Sequence, residues 1–303
     1  MKYDILVVGG GPAGMTAAIY AARAGRSVLL LEGGSFGGQI VNSQLVENYP
    51  GTPDIGGWEL ADRMVSQMRA VGVETASARV TGLEKLSDGG FSVRTDRGEG
   101  YAACAVILAT GVGHRKLGVP GEEALIGRGV SFCATCDGMF FRRREVAVVG
   151  GGNTAVQDAL VLAEFCSRVY LIHRRDGFRA EERLMERLRQ NERIELLTDT
   201  VVTAMQGEQR LESLTLRNVK MGEERDLTVA GVFEAIGNLP QNAAFADLVE
   251  LDADGYIVTD RDCRTSCAGI FAAGDCCQKT VRQLTTATAD GTVAALSAVD
   301  WVR

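Results

Sequence analysis

One pattern restricts the fold of this chain more than any other, and it occurs twice. A short apolar run enters a glycine-rich turn, a helix-like stretch follows, and a second apolar run closes the unit. In the first copy Tyr3–Val8 leads into Gly9-Gly10-Gly11-Pro12-Ala13-Gly14, then Met15–Ala24 and Ser27–Leu31. In the second, Glu145–Val149 leads into Gly150-Gly151-Gly152-Asn153-Thr154-Ala155, then Val156–Phe165 and Arg168–Ile172. In each copy a polar residue closes the second run 23 residues after the first glycine: Glu32 after Gly9, His173 after Gly150. Strand–turn–helix–strand units of equal spacing call for parallel sheets covered by helices.

The predicted fold class is therefore α/β, with two Rossmann-like dinucleotide-binding domains. The halves stay parallel through β-rich stretches with turn signals at Asp88-Gly89-Gly90 and Gly222-Glu223. Each then reaches a buried strand ending in glycine, Val106–Gly111 and Val232–Gly237. The segment 245–303 is too short for a third domain. It carries a strand-like Ile270–Asp275 and a helix-like Gln283–Ser297, so it is expected to return and complete the first domain. That gives a discontinuous first domain, 1–114 and 245–303, with 115–244 inserted in it. The connections fall near Gly113–Lys116 and Asn238–Ala243. Gly57–Val71 reads as an amphipathic helix whose Leu60, Met64, Met68 and Val71 face the core. Arg183, Arg187 and Arg189 read as a solvated face.

Composition narrows the function classes. The 303 residues suit about two domains of ~150 residues. Thirty-seven glycines against five prolines indicate many close backbone approaches rather than disorder. A net charge of −7 without a basic stripe argues against nucleic acid and anionic lipid as partners. The start, Met1-Lys2-Tyr3-Asp4, lacks a signal peptide's charged and apolar regions, and no apolar run reaches the ~18 residues of a membrane span. Eight cysteines in such a chain do not form a secreted disulfide framework. The expected location is the cytoplasm.

The residue closing each βαβ unit separates two ligands. Glu32 can accept from adenosine ribose hydroxyls and would repel a 2′-phosphate. The equivalent place in the second unit holds His173-Arg174-Arg175, with Arg179 beyond, and guanidiniums grip phosphate bidentately. The second turn, with Gly150, Gly152, Asn153 and Thr154, is thus expected to hold NADPH, and the first a different dinucleotide.

Cys133-Ala134-Thr135-Cys136-Asp137 lies just before the second glycine turn. A C-x-x-C pair can close a small disulfide ring with one activated thiolate. A zinc site would need Cys263 and Cys267, far downstream and in the other predicted domain, without ribbon-like spacing. Cys104, Cys166, Cys276 and Cys277 read as small buried apolar residues. Only two histidines exist, His114 and His173, and neither adjoins the pair. Asp137 is then the nearest candidate proton donor, provided burial raises its pKa. A helix-capping role is the competing reading.

Together these residues resemble the low-molecular-weight thioredoxin reductases of bacteria, from end to end. The similarity rests on Gly9–Gly14, Gly37-Gly38-Gln39, Glu47–Gly51, Ala109-Thr110-Gly111, Cys133–Gly138, Gly150–Ala155, His173–Ala180, Gly274-Asp275 and Arg282-Gln283. The resemblance implies FAD at the first site, held by Gly9, Gly11, Pro12, Ala13, Gly14, Glu32, Gly38, Gln39, Asn48, Thr110, Gly111, Gly274, Asp275, Arg282 and Gln283. It implies a homodimer and thioredoxin as the disulfide substrate. Because the disulfide and the nicotinamide site share the inserted domain yet both must meet one flavin, that NADPH domain is expected to rotate during turnover. The resemblance also puts Cys136 beside the flavin and Cys133 outward. The chain departs from the family at Met139, usually aromatic and on the surface offered to thioredoxin. It departs again at Pro240-Gln241-Asn242 and at Cys276-Cys277. The competing functions are a reductase of the same build serving another redoxin or a peroxidase system, and a non-enzymatic redox sensor.

Overall fold

The computed structural model describes residues 2–43, 45–52 and 54–303; Met1, with which the first predicted domain opens, lies outside them. The chain divides into two compact units, Met1–Gly113 with Leu239–Arg303, and His114–Asn238.

In the first unit β1 (Lys2–Val8), α1 (Pro12–Arg23) and β2 (Val28–Glu32) make the expected βαβ. α2 (Gly57–Ala70) follows and buries Leu60, Met64 and Met68, while Val71 caps it half-buried. Then come β3 (Glu74–Ser77), β4 (Val80–Lys85), β5 (Phe91–Thr95), the long β6 (Gly100–Leu108) and β7 (Val112–His114). The sheet order is β3-β2-β1-β6-β5-β4. β1, β2 and β3 run parallel, while β4, β5 and β6 form an antiparallel meander. β6 serves both halves: its first residues pair antiparallel with β5, and from Ala102 to Leu108 it pairs parallel with β1. Ile5, Leu6, Val7, Val106, Ile107 and Leu108 are fully buried, as strands covered on both faces require.

The second unit opens with α3 (Glu122–Leu125), β8 (Val130–Ser131) and α4 (Ala134–Asp137). Its βαβ is β9 (Glu145–Val149), α5 (Asn153–Leu162) and β10 (Arg168–Ile172). α6 (Glu182–Arg189) and β11 (Ile194–Leu197) come next. Arg183, Arg187 and Arg189 are exposed on α6, and Met185 and Leu188 are buried under it. A three-stranded antiparallel sheet, β12 (Thr200–Gln206), β13 (Ser213–Asn218) and β14 (Glu224–Thr228), precedes β15 (Gly231–Glu234). The parallel sheet is ordered β11-β10-β9-β15-β8.

The chain then returns through β16 (Asn238–Pro240), which pairs with β7, to β17 (Ile270–Ala272) and α7 (Leu284–Trp301). β17 joins the first sheet parallel to β6. The return falls at 238/239, six residues before the 244/245 boundary expected from sequence. The reason is packing in the first unit. Phe245 is buried with Leu6, Leu108 and Ile270, and Asn242 donates to the carbonyls of Gly255 and Cys276. Of the cysteines expected in the core, Cys166, Cys276 and Cys277 are buried and Cys104 is half-buried. No helix among the described residues is long and apolar enough to cross a membrane.

Candidate functional site: two glycine turns and a disulfide

In the first unit the Gly9 N–H donates to Leu31 O at 2.8 Å, fastening the glycine turn to the end of β2. Glu32 follows at once. Its Oε2 accepts from Gly10 N–H and its Oε1 from Gly34 N–H, both at 2.6 Å. A Cβ on Gly14 would stand 1.9 Å from Gly9 O, so only glycine lets α1 begin this close to the turn. Gly11 gives α1 no side-chain cap, Pro12 lacks an N–H, and the first turn, with Ala13, carries no acid. Its remaining N–H groups are left for an anion, and the helix dipole favours one there.

The other candidates of this unit gather on neighbouring loops. Gly38 opens a 3₁₀ turn, Gly38–Asn42, beside Gly11, and Gln39 donates to Val112 O at 3.2 Å. Thr110, next to Gly111, donates to Asn242 Oδ1 at 2.8 Å. Asn48 donates to Gln283 Oε1 at 3.3 Å, and Gln283 caps α7 reciprocally with Thr286. Gly274 N–H donates to Asp290 Oδ2 at 3.0 Å. Arg282 donates to the carbonyls of Asp275 and Cys277 and lies over the Tyr256 ring, 4.1 Å from its centroid. Asp275 Oδ1 is buried with no hydrogen-bond partner among the described residues. Burial pushes the Asp275 carboxyl above the usual carboxylate range, against the pull of Lys279 and Arg282. A buried acceptor left open beside a dinucleotide turn fits the hydroxyl chain of a flavin nucleotide.

The second unit repeats the turn with different chemistry. His173 is buried, and its ring packs on the turn so closely that a Cβ at Gly151 would stand 2.1 Å from Cε1. Its Nε2 has no partner among the described residues. Burial lowers the pKa of His173, and Arg174, Arg175 and Arg179 lower it further. All three arginines are exposed, and none forms an ion pair with another described residue. The acid among them, Asp176, is drawn off by Lys220 at 3.4 Å. Arg179 N–H donates to Gly151 O at 2.8 Å. Asn153 and Glu181 exchange two hydrogen bonds, 2.9 and 3.0 Å, that staple the arginine loop to the start of α5. The Asn153 side chain therefore serves the loop, leaving Gly150, Gly152, Thr154 and the bare helix start to face a pyrophosphate. A basic cluster without counter-charge fits a 2′-phosphate.

Cys133 and Cys136 are joined as a disulfide at α4, both half-buried. Asp137 ends α4 and makes no side-chain cap, which removes the competing capping role. Its Oδ2 accepts from Ser131 Oγ at 2.6 Å, and Ser131 Oγ accepts from Cys133 N–H at 3.1 Å. Its Oδ1 is buried without a partner among the described residues. Burial raises the Asp137 pKa, and the Ser131 bond opposes this only in part. Ser131 escaped sequence reasoning, although a serine two residues before a turn residue is an ordinary side-chain-to-backbone turn. Cys263 and Cys267 are free thiols in the first unit.

Two buried acids of the second unit also carried no sequence signal. Glu122 accepts from the N–H groups of Leu117, Gly118 and Val119 at 3.0, 2.6 and 3.1 Å. Glu234 is 4% exposed, and neither carboxyl oxygen has a partner among the described residues. Burial, then the charge of Glu122, pushes Glu234 up to about 8. A folded pKa above the unfolded value means stability is full below about 4.5 and falls as pH rises towards 8. Glu234→Gln is expected to stabilise the protein little at pH 5 and by up to ~5 kcal/mol at pH 9, at ~1.4 kcal/mol per pKa unit. Urea midpoints at the two pH values check it; a pH-independent difference contradicts it.

The family described as pyridine nucleotide-disulphide oxidoreductase matches residues 3–291. A bifunctional thioredoxin reductase/thioredoxin of Mycobacterium leprae is 46% identical over 304 residues, 99% of this chain; the chain spans 66% of that relative. The crystal structure of thioredoxin reductase from Streptococcus pyogenes is 43% identical, with a TM-score of 0.95 over 99% of this chain and 98% of that one. A Lactococcus lactis thioredoxin reductase in what is termed the FR conformation has the same 43% identity and 99% coverage of both chains, with a TM-score of 0.68.

Proposed function

The chain belongs to the pyridine nucleotide-disulphide oxidoreductase family, and from that premise we propose that it is an NADPH-dependent thioredoxin-disulfide reductase. The observation that carries this reading is a disulfide, Cys133–Cys136, in the same unit as a glycine turn followed by exposed arginines that form no ion pair with another described residue. Gly9, Gly11, Glu32 and Asp275, with the surrounding loops, would hold FAD; Gly150, Gly152, Thr154, Arg174, Arg175 and Arg179 would hold NADPH. When bound, the two cofactors supply the disulfide with two electrons.

The protein's own groups manage the protons and the thiols. Opening the disulfide with two electrons and one proton gives a Cys136 thiol and a Cys133 thiolate. Asp137, whose pKa burial raises and which adjoins Cys136 in sequence, is the proton source for the Cys136 sulfur. Cys133, as thiolate, then attacks the redoxin disulfide and expels one redoxin thiolate. Cys136, returning its proton to the Asp137 carboxylate, attacks the resulting mixed disulfide as thiolate, releasing the second redoxin thiolate and restoring the Cys133–Cys136 bond. Thioredoxin as acceptor is supported by the Mycobacterium leprae relative, whose name joins reductase and thioredoxin in one chain. Met139 and Phe140, large and exposed next to α4, offer an apolar landing surface. A homodimer in the cytoplasm completes the reading.

The test is NADPH consumption with the host's oxidised thioredoxin as acceptor. Rapid oxidation linked to the appearance of thioredoxin thiols is expected. Reduction of another redoxin alone would shift the function to the same-build alternative.

The disulfide and the turn that would hold NADPH share one unit, while the residues that would hold the single FAD serving both lie in the other. The inserted unit therefore turns about its two connections during each cycle. Two solved relatives, each 43% identical over 99% of this chain but with TM-scores of 0.95 and 0.68, support such a rearrangement in this family. An engineered cross-link between the units is expected to abolish turnover until it is reduced; full activity in the locked form overturns the rotation.

A further inference from the structure

The two crossings between the units meet at a single side-chain pair. His114, the last residue of β7, begins the second unit, and Asn238, the first residue of β16, ends it. His114 Nδ1 lies 2.9 Å from Asn238 Oδ1. Since an amide oxygen only accepts, Nδ1 carries the proton and donates. The other face of this contact is aromatic. The His114 ring stacks on Phe132 with centroids 4.4 Å apart and planes 3° from parallel. Phe132 immediately precedes Cys133. One imidazole therefore touches both the entry and exit strands and the residue before the redox disulfide.

We propose that His114 is a positioning residue that ties the Cys133–Cys136 segment to the two connecting strands, so that the disulfide travels with the connection as one rigid body. The proposal rests on the reading of the protein as a disulfide reductase whose inserted unit turns. Its physical basis is the weakness of the connection by itself. β7 and β16 have three residues each, and an isolated two-stranded pair is marginally stable in water. A side-chain hydrogen bond across it and a stacked ring add the stiffness that three-residue strands lack. Burial keeps the His114 imidazole below its usual pKa, with Asn238 opposing and Lys116 adding to the effect, so the neutral ring makes these contacts at neutral pH. A disulfide presented loosely loses rate steeply, since a misplacement of about 1 Å can cost on the order of 100-fold.

The experiment compares the FAD-loaded parent with His114→Ala, Phe132→Leu and the double variant, using three acceptors: thioredoxin, a small aromatic disulfide, and ferricyanide. His114→Ala is expected to lower kcat for both disulfide acceptors about tenfold, with KM for NADPH and for thioredoxin unchanged. NADPH oxidation by ferricyanide, which takes electrons without the disulfide, is expected to stay at the parent level. The double variant is expected to be no slower than the worse single variant, because both residues act through one contact. Equal losses with all three acceptors would show a general structural defect, and loss with thioredoxin alone a docking role; either overturns the proposal, as do unchanged kcat values. A parent that fails to oxidise NADPH with either disulfide acceptor would instead overturn the functional reading.

Discussion

Cys133→Ser is expected to abolish NADPH-driven reduction of thioredoxin, by a factor on the order of 10⁴ or more, the scale reached when an obligatory nucleophile is removed. The flavin should remain reducible by NADPH, and transfer to artificial acceptors should survive, because the arginine cluster and both glycine turns are untouched. Cys136→Ser should lose turnover to the same extent but leave Cys133 able to attack. Without its resolving partner the attack stops at the mixed disulfide, so this variant should accumulate a covalent complex with thioredoxin. Gel mobility without reductant checks the complex, and stopped-flow absorbance checks the flavin. If the Cys133→Ser variant traps thioredoxin and Cys136→Ser does not, the two roles are exchanged.

Replacing Arg174 and Arg175 together by alanine should be the second large effect. A hydrogen bond to a charged group contributes ~1.5–3 kcal/mol, but both guanidiniums are exposed, and solvent screening places the pair at the low end. The expected loss in kcat/KM for NADPH is about 100-fold, with NADH almost unchanged. His173 offers an independent readout. The arginines depress its pKa, so the double variant should raise it in the ligand-free protein, which its imidazole resonances would report. Equal losses for NADPH and NADH would mean that the arginines do not read the 2′-phosphate.

The architecture was legible because local patterns carry it. β1-turn-α1-β2 and β9-turn-α5-β10 are built from contiguous residues, and the period of their apolar positions suffices to predict two parallel sheets. Glu32 and His173 were identifiable for the same reason, since strand length and turn geometry fix where a βαβ unit closes. The Cys133–Cys136 pairing is likewise local, three residues apart in a helical turn. The sequence by itself therefore determined the fold class, the two glycine turns and the cysteine pair.

Other features depend on residues that are far apart in sequence. The return boundary at 238/239 follows from Phe245 packing on Leu6 and Leu108 and from Asn242 accepting from Thr110, partners more than a hundred residues earlier in the chain. Glu234 reads as an unremarkable polar residue after three strand residues. Its pKa of about 8 comes from burial and from Glu122. Ser131 acquires its role from the folding back of Asp137, and His114 from the closing of Asn238 and Phe132 around it. Only the tertiary structure decided these, because desolvation and hydrogen bonding depend on which atoms become neighbours, and in a doubly wound fold those neighbours are supplied by crossovers that no local period encodes.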